Sequence, residues 1–408
     1  MSSLDGHNGR AALVASSSLI GGLAARLQGV SGEAHRWGSG LLGVLAQVPD
    51  PRDPRGVIHP WPSPLAVAVA AVAAGQMSTA AIGEWAADLP DAVLGSLGAA
   101  RDPWTGTRVA PDATTIGRLL SRVDADALDT AVGRWLINRA TAVPGAVARR
   151  VIAVDGKTLR GSGRPGDQVH LLAAVDQHTG VVLAQTDVDG KTNEITRFQP
   201  LLAGLDLAGA VVTADALHTQ REHARWLAEN KAGYVFTVKK NQPHLYRQLK
   251  ALPWAKIPVL DTTRGRGHGR HDIRRLQTVT CTGPLALDFP HAVQAIRIRR
   301  RRLHTATGRW STVTVYAITN LTATQASPTD LADWLRGHWT IEVLHHIRDT
   351  TYREDASRVR TGNAPRALAT LRNTVISLLR LSGLTTIAKA LRRNSRNPHR
   401  AIQLLGLT

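Results

Sequence analysis

The sequence predicts an α/β fold: a mixed β-sheet flanked by helices, with a β-rich insertion, preceded by an all-helical N-terminal domain. Three observations carry this. Apolar residues recur at helical spacing from Leu41 to about residue 144. From Val151 short β-prone runs take over and alternate with amphipathic stretches. Between residues 254 and 326 that alternation gives way to β-prone runs separated by arginine- and glycine-rich segments.

Taken in order, residues 1–39 are rich in Ala, Gly and Ser and read as weakly structured. The helical domain spans 40–145. LLGVLAQVPDPRDPRG is a helix ending in a Pro/Asp/Arg loop, and an Ala/Val-rich helix follows to about Gly75. Ser78 reads as the N-cap of STAAIGEWAADL. Two further helices fill Pro111–Leu136, and a helix-turn-helix within this region stays open.

A first core part spans 150–250. VIAVDG is a strand, and HLLAAVDQHTGVVLAQTDV a hairpin around the turn from Asp176 to Gly180. EITRFQPLLAGL is an amphipathic helix, AVVTAD a fourth strand, TQREHARWLAEN a helix and YVFTVKKNQ a fifth strand. The β-rich basic insertion covers 251–327. Helices resume at Pro328 and make a second core part to 385, before a basic C-terminal tail at 386–408.

Charge narrows the function. Residues 1–150 carry 13 Lys+Arg against 12 Asp+Glu, whereas the remaining 258 carry 37 against 19. A basic excess spread over a folded region points to a polyanion, with nucleic acid leading. The one cysteine, Cys281, excludes a disulfide framework and zinc fingers built on cysteine pairs. The apolar run Leu65–Ala74 is about half of what a bilayer span needs, and MSSLDGHNGR lacks the pattern of a secretory signal. A soluble cytoplasmic protein with no membrane partner is expected.

Two carboxylates end apolar β-prone runs: Asp155 in VIAVDG and Asp215 in VVTADALHTQ, 60 residues later. A hairpin and a crossover helix between them bring the fourth strand beside the first, with both acids at one sheet edge. Two aspartates held close repel, so the pair asks for a cation, and oxygen donors of this kind suit Mg²⁺ or Mn²⁺. Glu342, in the helix HWTIEVLHH, is the expected third acid, with Glu354 and Asp355 as rivals. His338, Glu342, His345 or His346, and Asp349 share one helix face. A zinc site on His338, His345 and His346 stays open, although the His-Glu-x-x-His motif is absent.

The segments AVDGKTLRGS, KTNEITRFQPLL, TADALHTQ, YVFTVKKNQPHL, GHGR, HWTIEVLHH and YREDASRVRTGNAPRALATLR resemble, in that order, insertion-sequence transposases of the H-repeat-associated type. QVPDPRDPRG…AAIGEWA resembles the helical domain that accompanies them. The resemblance runs from about residue 40 to 385. It implies a DDE transposase with an RNase H-like core, with Asp155 on the first strand, Asp215 just after the fourth and Glu342 on a later helix. One departure stands out. The wider superfamily often shows Tyr-x₂-Arg-x₃-Glu-x₆-Lys around the third acid, where this chain has Leu335, His338, Glu342 and Asp349. Arg336 and Arg348 are the expected substitutes for the missing phosphate contacts.

The implied activity is cleavage of double-stranded DNA at the element's terminal inverted repeats, followed by transfer of the freed 3′ end to target DNA by a homodimer. Two Mg²⁺ (or Mn²⁺) ions held by Asp155, Asp215 and Glu342 would support in-line displacement at phosphorus. Lys157, Lys240, Asn241 and Gln242 are expected at strand ends near the DNA. His268, Arg270, Arg299 and Arg300 of the insertion would grip the backbone, joined by Arg358, Arg360 and Asn363 after the catalytic helix. A structure-selective endonuclease and a DNA-binding remnant without catalysis are the competing readings.

Overall fold

The computed structural model describes residues 40–55, 57–142, 149–188, 193–267 and 269–407. The expected N-terminal segment 1–39 and His268 lie outside the described residues.

The helical region begins with α1 (Leu41–Leu45) and α2 (Pro62–Ala73). Every residue of α2 from Ser63 to Ala73 is buried, which is why it reads as apolar all round. Next come α3 (Thr79–Ala87), α4 (Asp91–Ser96), α5 (Ala113–Arg122) and α6 (Ala125–Thr141). Ser78 caps α3 by accepting from the Ala81 N–H, as its sequence position suggests.

The core follows with β1 (Val151–Thr158), β2 (His170–Asp176), β3 (Val182–Asp187), α7 (Glu194–Leu202), β4 (Val211–Ala214), α8 (Arg221–Glu229) and β5 (Gly233–Val238). β1 pairs antiparallel with β2 and parallel with β4, and β4 parallel with β5. The order β3-β2-β1-β4-β5 is the RNase H-like arrangement. β1 does not stop at its aspartate: the ladder runs on through Gly156 and Lys157 to Thr158, so Asp155 lies within a strand and Asp-Gly forms no turn.

After α9 (Pro243–Ala251), the residues expected as a β-rich insertion, 251–327, join the core sheet. β6 (Asp261–Gly267), β7 (Arg270–Thr280), β8 (Gln294–His304) and β9 (Arg309–Thr319) extend the core sheet to nine strands, because β9 pairs antiparallel with β5. This covers the edge that β5 would otherwise expose. The near ends of β8 and β9 are buried, and their far ends project as an arm.

The chain closes with α10 (Pro328–Gly337), α11 (Trp339–Thr350), α12 (Ala364–Leu381), α13 (Ile387–Ser395) and α14 (Pro398–Leu405). All 18 residues of α12 are buried, between β3 on one side and α2, α5 and α6 on the other. The helical region is therefore no independent unit: its apolar residues and those of the sheet form one continuous core. The expected C-terminal tail is also corrected. α13 and α14 pack on α2, burying Ile387, Leu391, Ile402 and Leu405, while the arginines of α13 face outward. Amphipathic spacing hidden in a basic composition made this segment look like a tail.

Candidate active site

The parallel register pairs Val154 with Ala214, so Asp155 and Asp215 follow side by side at one sheet edge. Asp215 lies just past the last laddered residue of β4. Its carboxylate accepts from the Leu217 N–H at 2.8 Å, capping the 3₁₀ turn Ala216–His218. α11 packs against β1 and brings in the third acid. Glu342 makes no hydrogen bond or ion pair among the described residues.

Burial pushes the Asp155 carboxyl up to about 7, with the negative charges of Asp215, Glu194 and Glu342 adding to it. Burial also raises Glu342, and nearby Lys239 partly offsets this. Lys239 Nζ lies 3.9 Å from Asp215 Oδ2. His345 Nδ1 lies 3.6 Å from Asp155 Oδ2, and burial holds His345 down at about 3. His338 sits 3.0 Å from the Thr213 hydroxyl and is held at about 4 by burial. Burial thus favours the neutral form of both rings.

The rival acids are committed elsewhere. Glu354 is buried and accepts from Arg348 and Arg372, each at 2.8 Å. Asp355 accepts from Lys157 at 3.4 Å and from the Arg160 N–H at 3.3 Å. Glu342 is the remaining free carboxylate of the three.

These acids fit a hard divalent cation. They are all-oxygen donors, and the negative charges of Asp215, Glu194 and Glu342, which add to the effect of burial on Asp155, are ones a cation would relieve. Among the described residues no three His, Cys, Asp or Glu side chains yet converge on a single point. The acids therefore form no closed cage, and His338, His345 and His346 supply no zinc cluster among the described residues.

Several expected DNA contacts are placed differently. Lys157 is only 8 % exposed, and its ammonium binds Asp349 at 2.6 Å as well as Asp355. It is an internal tie and offers no free cation to a phosphate. Arg348, an expected substitute, is buried on Glu354 and cannot reach DNA. Asn241 and Gln242 donate to the Ala216 and Thr219 carbonyls, so they hold the turn behind Asp215. Asn363 donates to the Val123 carbonyl, joining α12 to α5. Arg360 donates to the Gly161 carbonyl, while Lys240 and Arg358 stay exposed.

The arginine run splits by strand alternation. Arg300 pairs across from Arg274, and Arg299 from Arg275, so neighbours in sequence point to opposite faces. Arg270, Arg274, Arg300 and Arg302 line one cleft of about 790 Å³ together with Arg336 and Glu342. Arg301 faces the other way, its guanidinium 4.7 Å from the Trp310 ring centroid. Arg336, an expected substitute, does reach this cleft while paired with Asp333.

Sequence reasoning missed Glu194 and Lys239. An acid in the first turn of a helix reads as ordinary dipole compensation, and a lysine beside Lys240 carries no distinguishing signal.

The sheet order and the acids at its edge define an RNase H-like core embedded in a helical surround. The chain belongs to the DDE transposases: the family described as "Transposase DDE domain" matches residues 147–378, and the one described as "DDE_Tnp_1-associated" matches 42–136. It is 29% identical over 364 residues to YncI of Escherichia coli O157:H7, which carries a transposase name, covering 83% of this chain and 87% of that protein. It is also 29% identical over 248 residues to YhhI of Escherichia coli K12, named as H repeat-associated, covering 56% and 64%. A solved piggyBac transposase synaptic complex with hairpin DNA aligns over 91% of this chain and 79% of its own, at 11% identity and a TM-score of 0.41. Among the described residues no helix is long and apolar enough to cross a membrane.

Proposed function

We propose that this transposase cuts DNA at the ends of its element and joins the freed 3′ end to target DNA, with Asp155, Asp215 and Glu342 as the catalytic acids. The observation that carries the reading is the shared edge: two aspartates on neighbouring parallel strands, faced by an uncommitted glutamate that opens on an arginine-lined cleft.

The three carboxylates would hold Mg²⁺ or Mn²⁺, two ions in all, which supply an activated oxygen nucleophile and a counter-charge for the leaving oxygen. Asp155 must give up its proton to do so, and its raised affinity for that proton comes first from burial and then from the acids around it. Lys239 balances Asp215 at the mouth of the site. Arg270, Arg300 and Arg336 would position the phosphate backbone along the cleft, and Lys240 and Arg358 would add outer contacts. No side-chain nucleophile is required. Joining two ends calls for two copies of the chain on the DNA.

The test is Mg²⁺- or Mn²⁺-dependent cleavage of a duplex carrying the repeats that flank the gene, with DNA binding followed in parallel. Asp155→Ala, Asp215→Ala and Glu342→Ala should each abolish cleavage and retain binding. Normal cutting by any one of them would remove that acid from the site. Cleavage without joining would favour the endonuclease reading.

A further inference from the structure

Asp215 stands where the β4 ladder has already ended, since the last pair with β1 is Val154 with Ala214. Its placement relative to Asp155 therefore depends on whatever fastens the turn Ala216–His218. One group reaches both sides. Glu194, in the first turn of α7, accepts from His218 Nε2 at 3.1 Å through one carboxylate oxygen. Through the other it accepts from His170 Nε2 at 2.8 Å. His170 opens β2, pairs in register with Thr158 of β1, and has its other nitrogen 2.7 Å from the Thr158 hydroxyl.

The carboxylate also lies directly over Gly156, the neighbour of Asp155. A Cβ there would come within 2.5 Å of the Glu194 carboxyl carbon, so a larger residue would push the carboxylate from its place. His223 completes the brace. Its ring stacks on Phe198 of α7 at 4.1 Å, with its two nitrogens each 3.0 Å from a backbone carbonyl, of His218 and of Ile195, to one of which the neutral ring donates.

We infer that Glu194, oriented by His170 and His218, is a positioning residue of the reaction centre that fixes the Asp215 turn against the Asp155 strand. The inference rests on the metal-dependent reading above. Through its two oxygens Glu194 holds both the β1–β2 ladder, by way of His170, and the Ala216–His218 turn, and so would set the spacing of the acids that hold a cation.

The experiment is direct Mn²⁺ binding to the full chain, followed by the electron paramagnetic resonance signal of free Mn²⁺, with thermal melting as a control for folding. Glu194→Ala is expected to weaken Mn²⁺ binding by about tenfold or more. Glu194→Gln, which keeps the volume over Gly156 but cannot accept from both histidines, should weaken it too. If Glu194→Ala does not fold, Glu194→Gln alone decides. Gly156→Ala should weaken Mn²⁺ binding as it displaces the carboxylate, yet add little in the Glu194→Ala background, where the clash is gone. Wild-type affinity in a folded Glu194→Gln protein overturns the inference and leaves the three-acid reading intact. Failure of the wild type to bind Mn²⁺ overturns both.

Discussion

Lys157 Nζ lies 2.6 Å from Asp349 Oδ1, tying the strand that carries Asp155 to the helix that carries Glu342. The superfamily pattern often places a lysine at the position of Asp349. Here that position is acidic, and its cation comes from β1.

Removing this tie should loosen the site before it unfolds the protein. Lys157→Met leaves Asp349 without its cation and Asp355 with Arg160 alone. It is expected to cost about 1–3 kcal/mol, below the usual range for a buried pair because both acids are about a third exposed. Asp349→Ala should cost less, since Asp355 still holds the ammonium. Thermal melts check the stabilities. Cleavage assays should show Lys157→Met losing more activity than its stability loss explains, because Glu342 is then free to drift from Asp155.

Glu354 should prove a folding residue. Burial alone would raise its carboxyl, but the guanidinium groups of Arg348 and Arg372 outweigh this and hold it below the ordinary value of 4.5. The folded state therefore binds fewer protons at this site than the unfolded chain. The stability it supplies is present above about pH 4.5 and is lost as the pH falls below that. Glu354→Gln is expected to cost about 3–5 kcal/mol near neutrality by stranding two buried cations. The variant should then lose less stability than wild type on acidification, as measured by denaturant unfolding at pH 7 and below pH 4.5.

The two faces of the β-arm should behave differently. Arg300 lines the cleft that reaches Glu342, whereas Arg299 points to the opposite face. Arg300→Ala is expected to weaken DNA binding, slow cleavage and lower the salt slope by about 0.9 for each phosphate the arginine would have neutralised. Arg299→Ala should change cleavage less. Binding titrations at several salt concentrations, paired with single-turnover cleavage, separate the two.

Deleting residues 387–408 should destabilise the protein. α13 and α14 bury Ile387, Leu391, Ile402 and Leu405, and each such side chain is worth roughly 1.5–3 kcal/mol. A soluble, cooperatively folded truncation with an unchanged melting temperature would count against this packing.

Much of the catalytic core was legible because its signals are local. The strand runs ending near Asp155 and Asp215, the hairpin turn held by Asp176, and the helix around Glu342 all follow from periodicity and turn chemistry within a dozen residues. That Glu354, the rival of Glu342, is committed elsewhere was not local. It turned on which carboxylate the distant Arg372 neutralises, and that pairing joins residues 18 apart in sequence through tertiary packing.

The sequence by itself therefore determined the order of the elements and the basic character of the second part, and it offered Asp155, Asp215 and Glu342 as expected acids. Only the tertiary structure decided that Lys157 is an internal tie, that 251–327 extends one sheet, and that Glu194 stands beside Asp155. The reason is physical. Propensity and patterning act between near neighbours along the chain, whereas burial, ion pairing and the room above a glycine depend on which distant segments meet.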